Sequence, residues 1–173
     1  MLEAAVAPEV NRRCLEWLEG YSGPDAPTIG RSGEPSEILL EEWFVDGVLT
    51  CPAVAGVVRS LLGAGFGLPI NMACHRGACP GPGQPWHHDG DSQFTPELNY
   101  LQVFYYPQRV TPEMGPCELV PKTQFVPTHQ AADARGTSTA SAAGSIFITN
   151  YAVPAGRGPG PHSARAAVCC RAI

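Results

Sequence analysis

The chain has 173 residues, which is enough for one domain with a substantial core and too few for two domains of ordinary size. Only 16% of the residues are charged, and a net charge of −5 leaves no basic surface for neutralising phosphates, so nucleic acid is not an expected partner. No apolar run approaches the roughly 20 residues that span a bilayer, and no secretory leader precedes the cysteines, which favours reduced thiols in an intracellular, cytoplasmic protein without membrane insertion.

The first third of the chain predicts two helices. Residues 7–21 carry apolar side chains at helical spacing, and glycines then end the pattern. Pro52 suits the first turn of a second helix, whose apolar stripe ends at Gly63. Between the helices, residues 23–37 are rich in Gly, Pro and Ser, which predicts a surface loop.

From residue 69 onward, short apolar or alternating runs are separated by Gly, Pro and Asn, which is typical of strands joined by turns. The predicted strands are INMACH (70–75), NYLQVFYYP (99–107), CELVP (117–121), SIFITNY (145–151) and AAVCC (166–170). The predicted turns are 80–85, 111–116 and 155–161, and residues 131–144 predict a loop or linker. With 19 glycines and 18 prolines, this pattern favours a mainly β domain.

The most informative segment is QPWHHDGD, residues 84–91. Alternate side chains of a strand share a face, so His87 and Asp89 are expected to converge while His88 points the opposite way. A second histidine from another strand would complete the two-histidine, one-carboxylate facial site that binds Fe(II). On its own, such a short motif is more often a polar turn, so its weight depends on the segments further along the chain.

Two later segments supply that context. Residues 99–107 (NYLQVFYYP) and 114–124 (MGPCELVPKTQ) come after the QPWHHD segment in the order found in the phytanoyl-CoA dioxygenase family, which the chain resembles from about Gly47 to its C-terminus. This family belongs to the Fe(II)/2-oxoglutarate-dependent oxygenase superfamily. The last segment departs from the family's N-G-P-x-x-x-x-P-G-S-H turn at Met114, Lys122, Thr123 and Gln124.

The resemblance implies a double-stranded β-helix, the jelly-roll or cupin-like barrel, with one or two N-terminal helices. It implies a single domain over residues 1–173, in which a helix and loop at 1–46 lead into a barrel region at 47–173. Because the chain ends shortly after the strand expected to follow Arg165, a closing element of larger relatives is expected to be missing.

The resemblance also places the metal and co-substrate residues. In the family, a Gly-Ser or Gly-Asp pair opens the strand that leads to the distal metal histidine; counted from Gly144, that position here is Ala155. Arg165 lies where the family has the arginine that pairs with the far carboxylate of 2-oxoglutarate. Three interpretations of His162, the histidine between them, remain open: it is a substitute third ligand, only a vestigial His87 and Asp89 pair is left, or the local sequence is altered or truncated.

The implied activity is that of a dioxygenase that hydroxylates an unidentified small organic substrate, with Fe(II) as cofactor and 2-oxoglutarate and O2 as co-substrates. The candidate catalytic residues and metal ligands are His87 and Asp89, with His162 as the third ligand; the candidate co-substrate residues are Arg165, Gln102 and Tyr100. The alternative is a catalytically inactive relative that acts as a binding or scaffold domain, because Ala155 replaces the distal histidine. Oligomeric state and substrate identity have no signature in the sequence.

Overall fold

The computed structural model describes residues 1–22, 36–67, 72–76, 83–88, 94, 97–125, 136–157 and 168–172. Among the described residues, three α-helices precede the first described strand: α1 (Pro8–Ser22), α2 (Glu42–Phe44), which continues into a π-helical turn at Val45–Leu49, and α3 (Pro52–Leu62). The two predicted helices are confirmed as α1 and α3. The short α2 and the 3-10 turn at Ser36–Leu40 were not predicted, and most of the loop predicted at residues 23–37 lies outside the described residues.

The ends of α3 follow from its sequence. Pro52 occupies the first helical turn, where its missing N–H would have no helical partner anyway. Gly63 follows the last turn with a φ of +88°, a conformation that L side chains rarely adopt. Val54 and Val58 lie four positions apart and are both buried, so one face of α3 faces the core.

Within the described residues, eight strands form two four-stranded antiparallel sheets. The strands are β1 (Met72–Arg76), β2 (Gln84–His87), β3 (Leu101–Tyr106), β4 (Cys117–Leu119), β5 (Thr137–Ser138), β6 (Ser145–Asn150), β7 (Ala155–Arg157) and β8 (Val168–Ala172). The first sheet has the order β1-β8-β3-β6 and the second the order β2-β7-β4-β5. Strands that follow one another in the chain therefore lie mostly in different sheets. Within each sheet, most neighbouring strands come from distant parts of the chain.

Two parts of the sequence prediction were wrong. Residues 155–161 were predicted to be a turn, yet β7 occupies Ala155–Arg157, and β5 lies within the predicted loop at 131–144. Both strands are short and pair with β4, so their neighbours rather than their own β propensity stabilise them. The antiparallel sheets of the predicted β fold are present, but helices together with the 3-10 and π-helical turns hold more of the described residues than strands do, and a closed barrel is not shown.

The first sheet has two differently covered faces. On one face, Tyr105 and Ile146 pack into the core formed with the helices, and the Tyr105 hydroxyl donates a 2.6 Å hydrogen bond to Oδ1 of Asn11 in α1. On the other face, Tyr106 packs in a second cluster with Cys117 of β4. The Tyr106 hydroxyl accepts a hydrogen bond from the Cys117 backbone N–H, which connects the two sheets directly. We call these the helix-covered face and the inward face.

None of the described helices is by itself long and apolar enough to cross a membrane. The neighbouring segments Glu42–Leu49 and Pro52–Leu62 meet the length and composition criteria only when taken together, and they are bent by 67° relative to each other.

Candidate metal site

His87 ends β2, at the position predicted for the first metal ligand. Its side chain is partly buried, and its Nδ1 lies 2.9 Å from the backbone carbonyl oxygen of Pro85. A carbonyl oxygen can only accept, so in the neutral ring Nδ1 carries the proton and Nε2 carries the lone pair. This is the arrangement in which histidines bind metals, with the second ring nitrogen held by a carbonyl or carboxylate.

Ala155 lies directly opposite His87. The register of β2 and β7 aligns these two residues, and β4 on the other side of β7 aligns Leu119 with Ala155. Directly opposite residues of antiparallel strands share a face, with Cβ atoms about 4.5–5.5 Å apart. A ligand-bearing side chain at position 155 would therefore stand next to the His87 ring. Ala155 is only 4% exposed and has no donor atom.

The reverse face of this strand pair is covered by Trp86. A Cβ at Gly156 of β7 would approach Cε3 of the Trp86 ring to 2.8 Å, and a Cβ at Gly136 beside β5 would come still closer to Cη2 at the far edge of the ring. The indole therefore lies flat across the second sheet because two glycines leave room for it. Since Trp86 precedes His87, this packing fixes the end of β2 and the face on which His87 stands. His88 comes next, with its ring edge-on to Phe94 at a centroid distance of 5.1 Å.

Polar side chains line part of the inward face of the first sheet. Gln102 of β3 is 0% exposed and lies directly opposite Thr149 of β6. By strand alternation, Gln102 shares the inward face with Phe104 and Tyr106. The Thr149 hydroxyl is buried and has no hydrogen-bond partner among the described residues. A buried hydroxyl without a partner costs about 1–3 kcal/mol, which makes this position a candidate for contact with a polar ligand.

Of the other predicted site residues, the structure describes Tyr100 but not the remaining candidate ligands or the arginine. Asp89, His162 and Arg165 lie outside the described residues. Tyr100 precedes β3, is 61% exposed, and has its ring 6.4 Å from that of Tyr151. Within the described ranges, no three His, Cys, Asp or Glu side chains come together as a metal site. The described part of the site therefore offers one suitable ligand, His87, and no donor at the position across from it.

Sequence reasoning missed Thr149 and the role of Gly156. Thr149 belongs to the predicted strand at 145–151. The sequence does not show that this strand pairs with β3 in the register that brings Thr149 opposite Gln102. Gly156 was assigned to a turn on composition, whereas it is the residue over which the Trp86 ring lies. The signal that could have found it was the adjacency of Gly156 to Ala155, the position already singled out by spacing.

No family model and no curated protein sequence matches the chain. Solved structures do match it. A non-haem monooxygenase, ThoJ in complex with nickel, has a TM-score of 0.70 at 18% sequence identity, over 100% of this chain and 72% of that one. SnoN, a non-haem α-ketoglutarate-dependent epimerase from nogalamycin biosynthesis, has a TM-score of 0.64 at 12% identity, over 98% and 76%. EvdMO1 has a TM-score of 0.57 at 21% identity, over 72% of this chain and 32% of that one.

At these identities the likeness establishes the fold. The chain has the fold of non-haem oxygenases and of an α-ketoglutarate-dependent epimerase. The likeness concerns the fold alone, and it does not single out the phytanoyl-CoA dioxygenase family named by the sequence resemblance.

Proposed function

We propose that this protein is a non-haem Fe(II)- and 2-oxoglutarate-dependent oxygenase that hydroxylates a small organic substrate. The observation that carries the proposal is His87, held at the end of β2 by the Pro85 carbonyl in the tautomer that binds a metal. The likeness to non-haem oxygenase structures supports it, because their fold covers essentially the whole chain.

The two sheets together are proposed to form a double-stranded β-helix barrel. Strands β1, β3, β6 and β8 belong to one sheet and β2, β4, β5 and β7 to the other, so the chain passes repeatedly between two facing sheets. Such a path is expected of a double-stranded β-helix, with the metal site between the sheets. On this proposal residues 1–173 form one domain, and its intracellular, cytoplasmic location remains the prediction made from the cysteines.

His87 and Asp89 would hold the metal, and His162 is the candidate for the third ligand. When bound, Fe(II) would supply the activation of O2 that protein side chains cannot provide. Arg165 would pair with the far carboxylate of 2-oxoglutarate through its two-pronged guanidinium. The inward pair of Gln102 and Thr149 would orient a polar group of the co-substrate or substrate by hydrogen bonds.

The first test is anaerobic titration of the protein with Fe(II) in the presence of 2-oxoglutarate, followed by the visible charge-transfer band of the chelate. We expect saturation at one iron per chain, loss of the band in His87→Ala, and its retention in His88→Ala, the matched neighbour on the other side of the strand. Circular dichroism and thermal unfolding establish that both variants are folded. An unchanged iron content in folded His87→Ala would overturn the proposal.

A second test uses the alignment of Ala155 with His87. Ala155→His would place an imidazole next to His87. If the third ligand position is vacant, we expect it to tighten Co(II) or Fe(II) binding by about tenfold or more, because it adds a donor atom to the site. Leu119→His is the matched control, because it lies one strand further along the same row, about 10 Å from His87. Equal tightening in both variants would mean that an added imidazole binds the metal wherever it stands in this row, rather than as a third ligand at position 155.

The same measurements separate the interpretations of His162. If His162 is the third ligand, His162→Ala weakens iron binding as strongly as His87→Ala does. If the site is vestigial, the wild-type protein gives no band and Ala155→His restores one. That second result would favour the inactive binding or scaffold domain over the oxygenase.

A further inference from the structure

Two cysteines that are distant in the sequence lie opposite each other in the first sheet. Strands β1 and β8 are antiparallel neighbours, and their register aligns Cys74 with Cys170 and His75 with Cys169. Directly opposite residues of antiparallel strands have Cα atoms about 5.5 Å apart in hydrogen-bonded pairs and about 4.5 Å in the others. Disulfides join cysteines whose Cα atoms are about 4.4–6.8 Å apart, so either kind of pair has a spacing that a disulfide tolerates.

The register of β8 with its two neighbouring strands also shows on which face of the first sheet Cys74 and Cys170 lie. Cys170 is aligned on its other side with Tyr105 of β3, which is buried beneath the helices. Met72 lies two residues before Cys74 in β1 and belongs to the same buried core. The positions of Cys74 and Cys170 are therefore on the helix-covered face, whereas Cys169, one residue earlier in β8, is on the inward face.

We propose that Cys74 and Cys170 form a reversible disulfide that joins β1 to β8 under oxidising conditions. With oxidised glutathione as the oxidant, one cysteine thiolate attacks the glutathione disulfide and releases one reduced glutathione. The second cysteine thiolate then displaces the other glutathione, so the protein loses two protons and two electrons and one disulfide is exchanged for another. Under the reducing conditions predicted from the sequence, both cysteines remain thiols.

The cross-link would connect the end of the chain to the first strand of the sheet. Cys170 follows the predicted co-substrate residue Arg165 by five positions. Oxidation therefore fixes the strand that follows that arginine in the sequence. Strands β2 to β7 lie in the loop closed between Cys74 and Cys170, whereas the helices precede that loop. A cross-link that closes so long a loop stabilises mainly by limiting the unfolded chain.

Peptide mapping tests the connection directly. The full chain is treated with oxidised glutathione, its remaining thiols are alkylated, and the protein is digested with trypsin. Cleavage after Arg59 and Arg76 gives peptide 60–76, in which Cys74 is the sole cysteine; cleavage after Arg165 and Arg171 gives peptide 166–171, which contains Cys169 and Cys170. We expect these two peptides to be linked, and to separate after reduction.

Matched single substitutions identify the partner within the second peptide. Cys170→Ala should abolish the link, whereas Cys169→Ala, which removes the neighbouring cysteine of the other face, should leave it intact. In wild-type protein and in Cys169→Ala, oxidation should raise the unfolding midpoint by about 5–15 °C, reversibly with dithiothreitol, and in Cys74→Ala it should not. Alkylated Cys74 in fully oxidised wild-type protein, a link through Cys169, or a disulfide between Cys169 and Cys170 overturns the proposal.

Discussion

The two faces of the first sheet differ in how they treat buried polar groups. On the helix-covered face, the hydroxyl of Tyr105 is paired with Asn11 of α1 inside a core of aliphatic and aromatic side chains. On the inward face, Gln102 is fully buried opposite Thr149, whose hydroxyl has no partner among the described residues. The Tyr105 hydroxyl thus stabilises the helix-covered face, while the inward face, where the Tyr106 hydroxyl is bonded to Cys117, retains at Thr149 a hydroxyl that a ligand could satisfy.

The largest effect is expected at Gly144, where the N-terminal segment contacts the first sheet. Gly144 has a φ of +79°, and a Cβ on it would lie 2.6 Å from the backbone carbonyl oxygen of Val6 and 2.8 Å from Nδ2 of Asn11. Gly144→Ala therefore combines backbone strain with a clash against the Val6 carbonyl oxygen and the Asn11 side chain. We expect the free energy of unfolding to fall by about 2–4 kcal/mol in urea denaturation.

Gly56→Ala provides the matched control for this substitution. A Cβ at Gly56 meets nothing within 4 Å, and the residue lies inside α3. Alanine favours a helix over glycine, so this change should raise the free energy of unfolding by about 0.5–1 kcal/mol. Opposite signs for the two substitutions are the expected result; a neutral Gly144→Ala would show that the contact with Val6 can relax.

A smaller loss is expected when the buried hydrogen bond of the helix-covered face is removed. Tyr105→Phe keeps the ring but leaves Oδ1 of Asn11 without its 2.6 Å donor, which should cost about 1–3 kcal/mol of stability. Tyr100→Phe removes a hydroxyl from a side chain that is 61% exposed and should stay within about 0.5 kcal/mol of the wild-type protein. Fe(II) binding by Tyr105→Phe should be unchanged, since Tyr105 lies on the helix-covered face and is not among the candidate ligands.

The sequence predicted the parts of the fold whose signals are local. Pro52 and Gly63 mark the ends of α3 by their own backbone preferences, and the alternating run at 101–106 forms β3 as expected. Strand β7 was missed because Ala, Gly and Arg have no marked β propensity and the segment is extended through its pairing with β2 and β4. Long-range pairing cannot be recognised from a short stretch of sequence.

In the candidate site, too, local sequence signals were recognisable whereas long-range pairing was not. His87 was singled out from its own segment together with the two later segments, and the family's spacing counted from Gly144 pointed to Ala155. That Ala155 stands across from His87, with Trp86 behind the pair and Gly156 making room for it, is evident only from the register and packing of β2 and β7. Likewise, Gln102 stood out as a polar residue in an apolar strand, but its partner Thr149 could not be identified before the sheet was known.

The smallest effect on stability, and the sharpest contrast between the faces, is expected from Thr149→Val. This change keeps the shape of the side chain and removes a buried hydroxyl that has no hydrogen-bond partner within the described part of the chain. Removing such a group relieves its desolvation cost, so the free energy of unfolding should stay equal or rise by up to about 1 kcal/mol, in contrast to the loss in Tyr105→Phe.

Although Thr149→Val is expected to keep or raise stability, it should weaken the binding of 2-oxoglutarate. If the Thr149 hydroxyl serves the co-substrate, Thr149→Val weakens 2-oxoglutarate binding to the Fe(II) protein by about threefold to tenfold, as expected for the loss of one hydrogen bond. Ser141→Ala is the matched control, because the Ser141 hydroxyl is also buried and lacks a partner among the described residues, but it lies beside Val110, away from Gln102. Weaker 2-oxoglutarate binding in both variants, or in neither, would argue against a co-substrate role for Thr149. Gln102 and Thr149 would then be candidates for contact with the substrate that is hydroxylated.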